Sequence, residues 1–218
     1  HEPQSEAGLS PAHPARERLA YDELLANQLS LALVRLHQRK QNGRAWPIST
    51  ILRQKIMEAL PFDLTKAQQK AIAEIDKDMA EPLRMLRLLQ GDVGSGKTIV
   101  AAMAMMTIIE NGAQAAIMAP TEILARQHEE SFKPWLEAAG ISYVTLTGRN
   151  KGKERQNILD EIADGTAQVV IGTHALFQES VAFKDLGLAV IDEQHRFGVH
   201  QRLQLSQKSK GTDVLVMT

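Results

Sequence analysis

One segment of the chain, Gly91 to Thr98, has the residue types and spacing of a phosphate-binding loop. It reads Gly-Asp-Val-Gly-Ser-Gly-Lys-Thr and matches the pattern G-x-x-x-x-G-K-[ST] in full. Glycines let the backbone turn tightly and point its N–H groups at phosphate oxygens, where a Cβ atom would intrude. Lys97 would place a positive charge on the β and γ phosphates, and Thr98 would offer a hydroxyl to Mg²⁺. The predicted nucleotide-binding residues here are Gly91, Asp92, Val93, Gly94, Ser95, Gly96, Lys97 and Thr98.

A second candidate site is the acidic pair Asp192-Glu193, which directly follows the apolar run 188–191. In doubly wound folds the carboxyl ends of the strands form the edge that binds ligands, so this pair is expected at the same edge as the phosphate loop. We expect Asp192 to hold Mg²⁺ and Glu193 to activate the attacking water. With a bound nucleotide this pair would support hydrolysis of ATP. Considered without the loop, the same pair could equally be an acidic turn that ends a strand.

The pattern of apolar runs and helical segments after residue 61 predicts the elements that position these residues. Apolar runs alternate with helical segments, and the runs lack the polar alternation of a half-exposed strand. Strands separated by helices indicate right-handed βαβ units, so we predict an α/β fold with a doubly wound, mainly parallel sheet. The methionines behind the loop are interpreted as core packing against that sheet. The predicted strands are 86–90, 115–119, 142–146, 168–171, 188–191 and 214–217, and the helices are 65–79, 97–110, 122–138 and 153–163.

The first 60 residues differ from the rest. Residues 1–14 contain prolines, a glycine and serines and are interpreted as a flexible lead-in. Residues 15–60 read as a helical segment with one helix over 15–40 and a second over 50–60, which Ser49 could cap. From Arg35 to Lys55 there are six Lys and Arg residues and no acid. This stretch is either a solvated helix face or a surface that meets phosphates or another domain.

Composition restricts the partners only weakly. The chain has 218 residues, a formal net charge of −1 and 4% aromatic residues, so global charge does not indicate a nucleic-acid partner. The absence of cysteine excludes disulfides, zinc fingers and thiol catalysis, and it fits a cytoplasmic protein. No apolar stretch approaches 18 residues, so no membrane partner is expected. Because the chain begins at His1 and ends directly after an apolar run, we interpret it as a fragment of a longer protein.

Several motifs in order along the chain resemble those of superfamily 2 helicases. Gly91–Thr98 and the box Asp192–His195 resemble motifs I and II. Residues 62–68 resemble the adenine-reading motif, which implies that Phe62 and Gln68 bind nucleotide, with Gln68 on the base edge. Residues 119–128 resemble motif Ia, and Met217-Thr218 would enter motif III. The resemblance implies catalytic roles for Lys97, Asp192, Glu193, Gln194 and His195, and DNA contacts by Pro120, Thr121, Thr147, Gly148, Gly172, Thr173 and His174.

The resemblance also implies a domain plan and partners. Residues 61–218 would be a RecA-like ATP-binding lobe of P-loop type, truncated at motif III, and 15–60 would be its linker to a wedge domain. Asp192–Arg202 is close to the signature of a bacterial helicase family that remodels branched DNA. That family implies ATP and Mg²⁺ as cofactors, and branched duplex DNA at forks and junctions as partner. It further implies fork reversal and branch migration in recombination and repair, on DNA in the bacterial cytoplasm. A second RecA-like lobe of the same polypeptide would supply the arginine finger, so this chain alone should bind ATP weakly and hydrolyse it poorly.

Other interpretations stay open at this point. The translocase that couples transcription to repair shares the stretch 196–199 but usually differs in the acidic box. A nucleotide-binding module without hydrolysis and a small-molecule P-loop kinase are further candidates. Threonine hydroxyls at strand ends bind phosphate without reading sequence, yet they cap helices as often. The basic residues Arg149, Lys151, Lys153 and Arg155 are either a solvated face or a patch for the duplex backbone.

Overall fold

The computed structural model describes residues 43–178, 180–192 and 211–218. The predicted lead-in and the first predicted helix lie outside these residues. So do Glu193, Gln194, His195 and the signature residues 196–202.

A single parallel sheet of six strands forms the centre of the described fold. Its strand order is β1-β6-β5-β2-β4-β3, and every neighbouring pair runs parallel. The predicted parallel α/β sheet is therefore confirmed, and each predicted strand is present with small shifts at its ends. The strands are β1 Leu86–Leu89, β2 Gln114–Met118, β3 Tyr143–Leu146, β4 Val169–Gly172, β5 Leu186–Asp192 and β6 Asp213–Met217.

The helices follow the predicted pattern, with local signals at their starts. Thr65 caps α2 in a capping box, in which its side chain accepts from the backbone N–H of Gln68. The prediction that Ser49 caps α1 is wrong, because Thr50 is the N-cap residue. The side chain of Thr50 makes no capping hydrogen bond. Instead the carboxylate of Glu110, from another helix, accepts from the backbone N–H of Leu52. The described helices are α1 Ile51–Ala59, α2 Lys66–Met79, α3 Lys97–Glu110, α4 Glu122–Ala139 and α5 Gly152–Asp164.

Both faces of the sheet are covered in its middle. Alternate strand residues pack to opposite sides, so that Leu188 and Val190 join the core cluster of α1 to α4 while Ala189 and Ile191 join the cluster of α5. The methionines of α3 are fully buried, which confirms their interpretation as core. The edge strand β1 differs, because Leu86 and Leu88 are 54% and 53% exposed. No helix in the described part of the chain is long and apolar enough to cross a membrane.

Residues 43–60 are built into the same compact unit as the lobe, which extends over Asn42–Thr218. Trp46 and Ile56 are residues of the core cluster, and the boundary at residue 61 between linker and lobe stays a prediction. Arg53 is buried as well, and it pairs with Asp76 at 2.5 Å and donates to the carbonyl of Met103 at 2.8 Å. Arg53 therefore belongs neither to a solvated helix face nor to a surface for phosphates or another domain, because its guanidinium pairs with Asp76 inside the fold.

The amino edge of the sheet carries a buried carboxyl group, Asp213. It accepts hydrogen bonds from the backbone N–H of Met85 at 2.7 Å and from the indole N–H of Trp46 at 2.9 Å. Burial raises the pKa of Asp213 to about 7, although these two bonds and the charges of Arg84 and Arg44 act in the opposite direction. Asp213 begins β6, whereas the phosphate loop follows the end of β1, so this group belongs to the scaffold and not to the nucleotide edge.

Candidate functional site

The phosphate loop lies where the prediction put it, between the end of β1 and the start of α3. β1 and β5 both pair with β6, so the loop and Asp192 stand at one edge of the sheet with a single strand between them. At the usual strand spacing this separates the two chain positions by about 10 Å. The loop is also attached to that middle strand, because the backbone N–H of Gly91 donates to the carbonyl of Thr218 at 3.2 Å.

Two loop glycines adopt backbone conformations that other residues rarely take. Gly94 and Gly96 have φ of +81° and +78°. Gly96 is the N-cap residue of α3 and provides no side-chain cap. The first N–H groups of this helix therefore have no capping side chain as acceptor. A Cβ atom on Gly96 would also collide with the side-chain amide nitrogen of Gln68. This arrangement is suited to an anion, because helix N–H groups and the helix dipole both favour negative charge there.

Lys97 extends back over the loop that precedes it. Its ammonium donates to the carbonyl oxygens of Gly91 at 2.6 Å and Asp92 at 2.9 Å. The charge is therefore held within the loop, as a phosphate-binding lysine requires. Val93 at the tip is fully exposed, so this residue contributes its backbone and no packing, while Thr98 lies partly buried in the first turn of α3.

Gln68 connects the predicted adenine-reading segment to the phosphate loop. Its amide nitrogen donates to the carbonyl of Ser95 at 3.1 Å, and its amide oxygen accepts from the backbone N–H of Thr65 at 2.9 Å. Both ends of this amide thus have protein partners, and contact with a base edge stays a prediction. Phe62 is 50% exposed. It lines a cavity of about 590 Å³ together with Met57, Leu60, Asp63, Leu64 and Gln69.

The carboxylate of Asp192 contacts His128, for which the sequence predicted no role beyond its place in the segment 119–128. Nε2 of His128 lies 2.7 Å from Oδ2 of Asp192, and the two side chains are only 10% and 14% exposed. The ring of Phe132 meets the His128 ring edge-on with centroids 6.3 Å apart. A sequence signal existed, because His128 occupies the apolar face of α4 on which Phe132 and Leu136 follow at helical spacing.

The donor set at this edge fits Mg²⁺. Among the described residues there is no group of three or more acidic, histidine or cysteine side chains that would form a protein cage for a metal. Mg²⁺ usually binds through one or two carboxylates, phosphate oxygens and water, and does not need such a cage. Thr98 and Asp192 are the described residues that could hold it. Glu193, Gln194 and His195 lie outside the described residues.

The predicted DNA-contact residues lie at or just after the ends of β2, β3 and β4, which are neighbours in the sheet. Thr121 caps α4, since its side chain accepts from the backbone N–H of Leu124 at 3.2 Å. Pro120 beside it is partly buried, whereas Gly148 and His174 are exposed. Thr147 is buried, and its backbone N–H donates to the side chain of Asn150 at 2.8 Å. Gly148 and His174 thus present accessible groups at the carboxyl edge.

Three of the predicted DNA contacts, Thr147, Gly172 and Thr173, are buried in this structure. Thr173 is 2% exposed, and its buried hydroxyl makes no hydrogen bond in the described chain. Gly172 is buried too, and a Cβ atom there would collide with the carbonyl of Leu146. The side chain of Thr173 is turned into the protein here, and contact of its hydroxyl with phosphate stays a prediction.

The basic residues near 150 are partly committed to contacts within the protein. Arg149 pairs with Glu122 at 2.6 Å, which joins the turn after β3 to the first residue of α4. Arg155 donates to the side chain of Gln178 at 2.7 Å. Lys151 and Lys153 are exposed. A solvated face and a patch for the duplex backbone both remain compatible with this arrangement.

Comparison with known proteins identifies close relatives. A family model described as DEAD/DEAH box helicase matches residues 65–218. The ATP-dependent DNA helicase RecG of Pasteurella multocida is 52% identical over 203 residues, covering 92% of this chain and 29% of the relative. RecG of Bacillus subtilis is 45% identical over 219 residues, covering 100% of this chain and 32% of the relative. The chain therefore spans about a third or less of the length of these relatives.

A solved structure of RecG bound to a three-way DNA junction is similar in fold as well as in sequence. It is 45% identical, with a TM-score of 0.79, and the match covers 93% of this chain and 27% of that one. This similarity confirms the predicted RecA-like fold. The relatives are also the bacterial helicase family that the signature at 192–202 resembles.

Proposed function

Because this chain belongs to the DEAD/DEAH box helicase family, we propose that it is the ATP-binding motor lobe of an ATP-dependent DNA helicase of the RecG type. The observation that carries this proposal is the placement of a complete phosphate loop and of Asp192 at one edge of a parallel sheet. The lobe would bind ATP and couple its hydrolysis to movement on DNA.

The loop and the start of α3 would bind the phosphates of ATP. Backbone N–H groups around Gly94 and Gly96 would donate hydrogen bonds to the phosphate oxygens, and Lys97 would exchange its carbonyl contacts for the β and γ phosphates. Thr98 and Asp192 would hold Mg²⁺, which neutralises charge on the phosphates when it is bound. We assign Glu193 to activation of water, with Gln194 and His195 beside it. An arginine from a second RecA-like lobe would complete the site.

The turns at the carboxyl edge would track duplex DNA. Three neighbouring strands next to β5 are followed by Thr121, Gly148 and His174. A DNA backbone bound to these residues would run beside the nucleotide site. Contacts of this kind position a protein on DNA without reading its sequence. The finer proposal is that a longer protein carrying this lobe and a wedge domain remodels forks and junctions by fork reversal and branch migration in the bacterial cytoplasm. The three-way junction in the structure of the relative supports it.

Nucleotide binding can be tested on this chain. We expect a fluorescent ATP analogue to bind in the presence of Mg²⁺, and Lys97→Ala to weaken binding at least roughly tenfold because the phosphates lose their charged partner. Lys77→Ala removes one positive charge from an exposed position of α2 and is the matched control. Equal affinity of both variants would overturn the assignment of the loop.

The finer proposal requires the full-length protein. Purified protein with ATP and Mg²⁺ should rearrange a labelled three-way junction and leave a linear duplex of the same length unchanged. A P-loop kinase would show neither rearrangement nor stimulation by DNA. A protein that acts on both substrates alike would contradict the preference for branched DNA.

A further inference from the structure

We propose that His128 is a positioning residue, which holds the carboxylate of Asp192 in the orientation that Mg²⁺ binding requires. This inference rests on the proposed function, because it deepens the role of Asp192 as the metal-holding carboxylate.

The contact itself has the geometry of a strong hydrogen bond. The distance of 2.7 Å between Nε2 of His128 and Oδ2 of Asp192 is that of a short hydrogen bond. In the proposed arrangement the imidazole donates through Nε2 and the carboxylate oxygen accepts. Both side chains are largely shielded from water, which makes the bond stronger than a contact on the surface.

The ring of His128 is fixed on its other side by the core. His128 is buried on α4, and its ring meets Phe132, which is fully buried, at an interplanar angle of 62°. The start of α4 is fixed too, because Thr121 caps it directly after β2, the strand that neighbours β5. A rigid donor therefore faces the end of β5, where Asp192 is the last residue of the strand.

A rigid donor of this kind has a known physical effect on a metal site. A carboxylate that binds metal is oriented by the hydrogen bonds made to it, and loss of such a partner weakens metal affinity. The polar contact that His128 makes at this edge is with Asp192, so its effect on the metal would pass through that carboxylate. Its removal should change the Mg²⁺ requirement of nucleotide binding and leave metal-free binding intact.

The test compares two substitutions of similar volume. His128→Leu removes the donor, whereas His128→Gln retains an amide nitrogen near the position of Nε2. Binding of the fluorescent ATP analogue is measured over a range of Mg²⁺ concentrations and also in EDTA. We expect His128→Leu to raise the half-saturating Mg²⁺ concentration roughly tenfold or more, as loss of a residue that orients a metal ligand does. His128→Gln should stay within about threefold of the unchanged chain, and affinity in EDTA should change by less than about twofold in both variants.

The controls separate this proposal from a structural role and from the proposed function. Glu130→Ala changes an exposed residue of the same helix and should have no effect. In an Asp192→Ala background, His128→Leu should cause no further change, because residues that act through one another are not additive. If His128→Leu does not fold, His128→Asn serves instead, since its shorter amide does not reach the position of Nε2.

Each remaining outcome has a defined meaning. Equal effects of His128→Leu and His128→Gln, or no effect of either, would overturn the positioning role. A full effect of His128→Leu in EDTA would overturn it as well, because the defect would not depend on Mg²⁺. If Lys97→Ala leaves nucleotide binding unchanged, the proposed function fails, and that failure is distinguishable from failure of the role of His128.

Discussion

At the scale of single residues, the polar groups of the candidate site are held by neighbours within the protein. Lys97 donates to loop carbonyls, Gln68 bridges the loop and the cap of α2, and Asp192 contacts His128. Binding of ATP would exchange the contacts of Lys97 for stronger charged ones. These contacts need space beside the loop backbone, which residues without a side chain provide. Gly96 is the clearest example.

Substitution of Gly96 tests this dependence. Gly96→Ala should weaken nucleotide binding, because a Cβ atom would meet the amide of Gln68 in addition to the unfavourable φ. Gly112→Ala is the matched control, since Gly112 has nearly the same φ of +79° but nothing within 4 Å of an added Cβ atom. Both variants should lose about 1 kcal/mol of unfolding free energy from the backbone conformation. Only Gly96→Ala should lose affinity for the fluorescent ATP analogue, and equal affinity in both variants would contradict the packing of Gln68 against the loop.

The buried carboxyl of Asp213 makes a prediction about pH. Its folded pKa of about 7 exceeds the unfolded value near 4, so the folded chain binds the extra proton between these values. The free energy of unfolding then falls as pH rises through this window, because the charged carboxylate is costly to bury. Between pH ~5.5 and pH ~8 the unchanged chain should lose roughly 2 kcal/mol relative to Asp213→Asn. Urea unfolding of both proteins at the two pH values measures the difference, and a parallel pH dependence would refute the raised pKa.

At the scale of elements, α1 packs into the same core as α2 and α3. Its Arg53 forms two hydrogen bonds with Asp76 of α2 and also reaches Thr107 of α3. One guanidinium thus ties three helices together on one face of the sheet. Removal of α1 would leave Asp76 and the backbone of α3 without these partners.

Arg53→Met should therefore destabilise the chain strongly. Breaking a buried ion pair on one side costs about 3–5 kcal/mol, and the lower end applies here because Asp76 retains some exposure. The double variant Arg53→Met with Asp76→Leu should recover much of the loss, since no unpaired charge remains. Urea unfolding checks both values, with Lys55→Met on the exposed side of α1 as control. A loss below about 1 kcal/mol for the single variant would show that the pair is not important for stability.

The strands and the phosphate loop could be predicted because their signals are local. Apolar runs such as 188–191 identify strands buried on both faces, and the loop pattern needs only its own residues. The place of α1 could not be predicted, because Arg53 finds its partner Asp76 only through tertiary contact. The same is true of His128 and Asp192, which lie on different elements and meet only when α4 packs on the sheet. Burial of Thr173 was missed for a related reason, since a strand-end position alone does not show which way a hydroxyl turns.

At the scale of the whole molecule, the chain contains one side of the proposed active site. It spans less than a third of RecG of Pasteurella multocida, and the proposed arginine finger would come from a second RecA-like lobe. An arginine of this kind contributes about 10³- to 10⁵-fold to turnover in related phosphoryl-transfer enzymes. Binding and hydrolysis should therefore separate in this chain.

We expect this 218-residue chain to bind ATP weakly and to hydrolyse it at least roughly 10³-fold more slowly than the full-length protein does with DNA. A coupled assay of phosphate release with saturating ATP measures both rates. Addition of branched DNA should not stimulate the isolated chain. Robust DNA-stimulated turnover by the chain alone would mean that one lobe carries a complete active site.

The most direct test of the motor assignment is ATP hydrolysis by the full-length protein in the presence of a three-way DNA junction. We predict that the junction stimulates hydrolysis and that Lys97→Ala abolishes turnover with and without DNA. Lys77→Ala should retain both activities. Junction-stimulated hydrolysis that survives Lys97→Ala would contradict the motor assignment, because the phosphate loop would then not be the site of ATP hydrolysis.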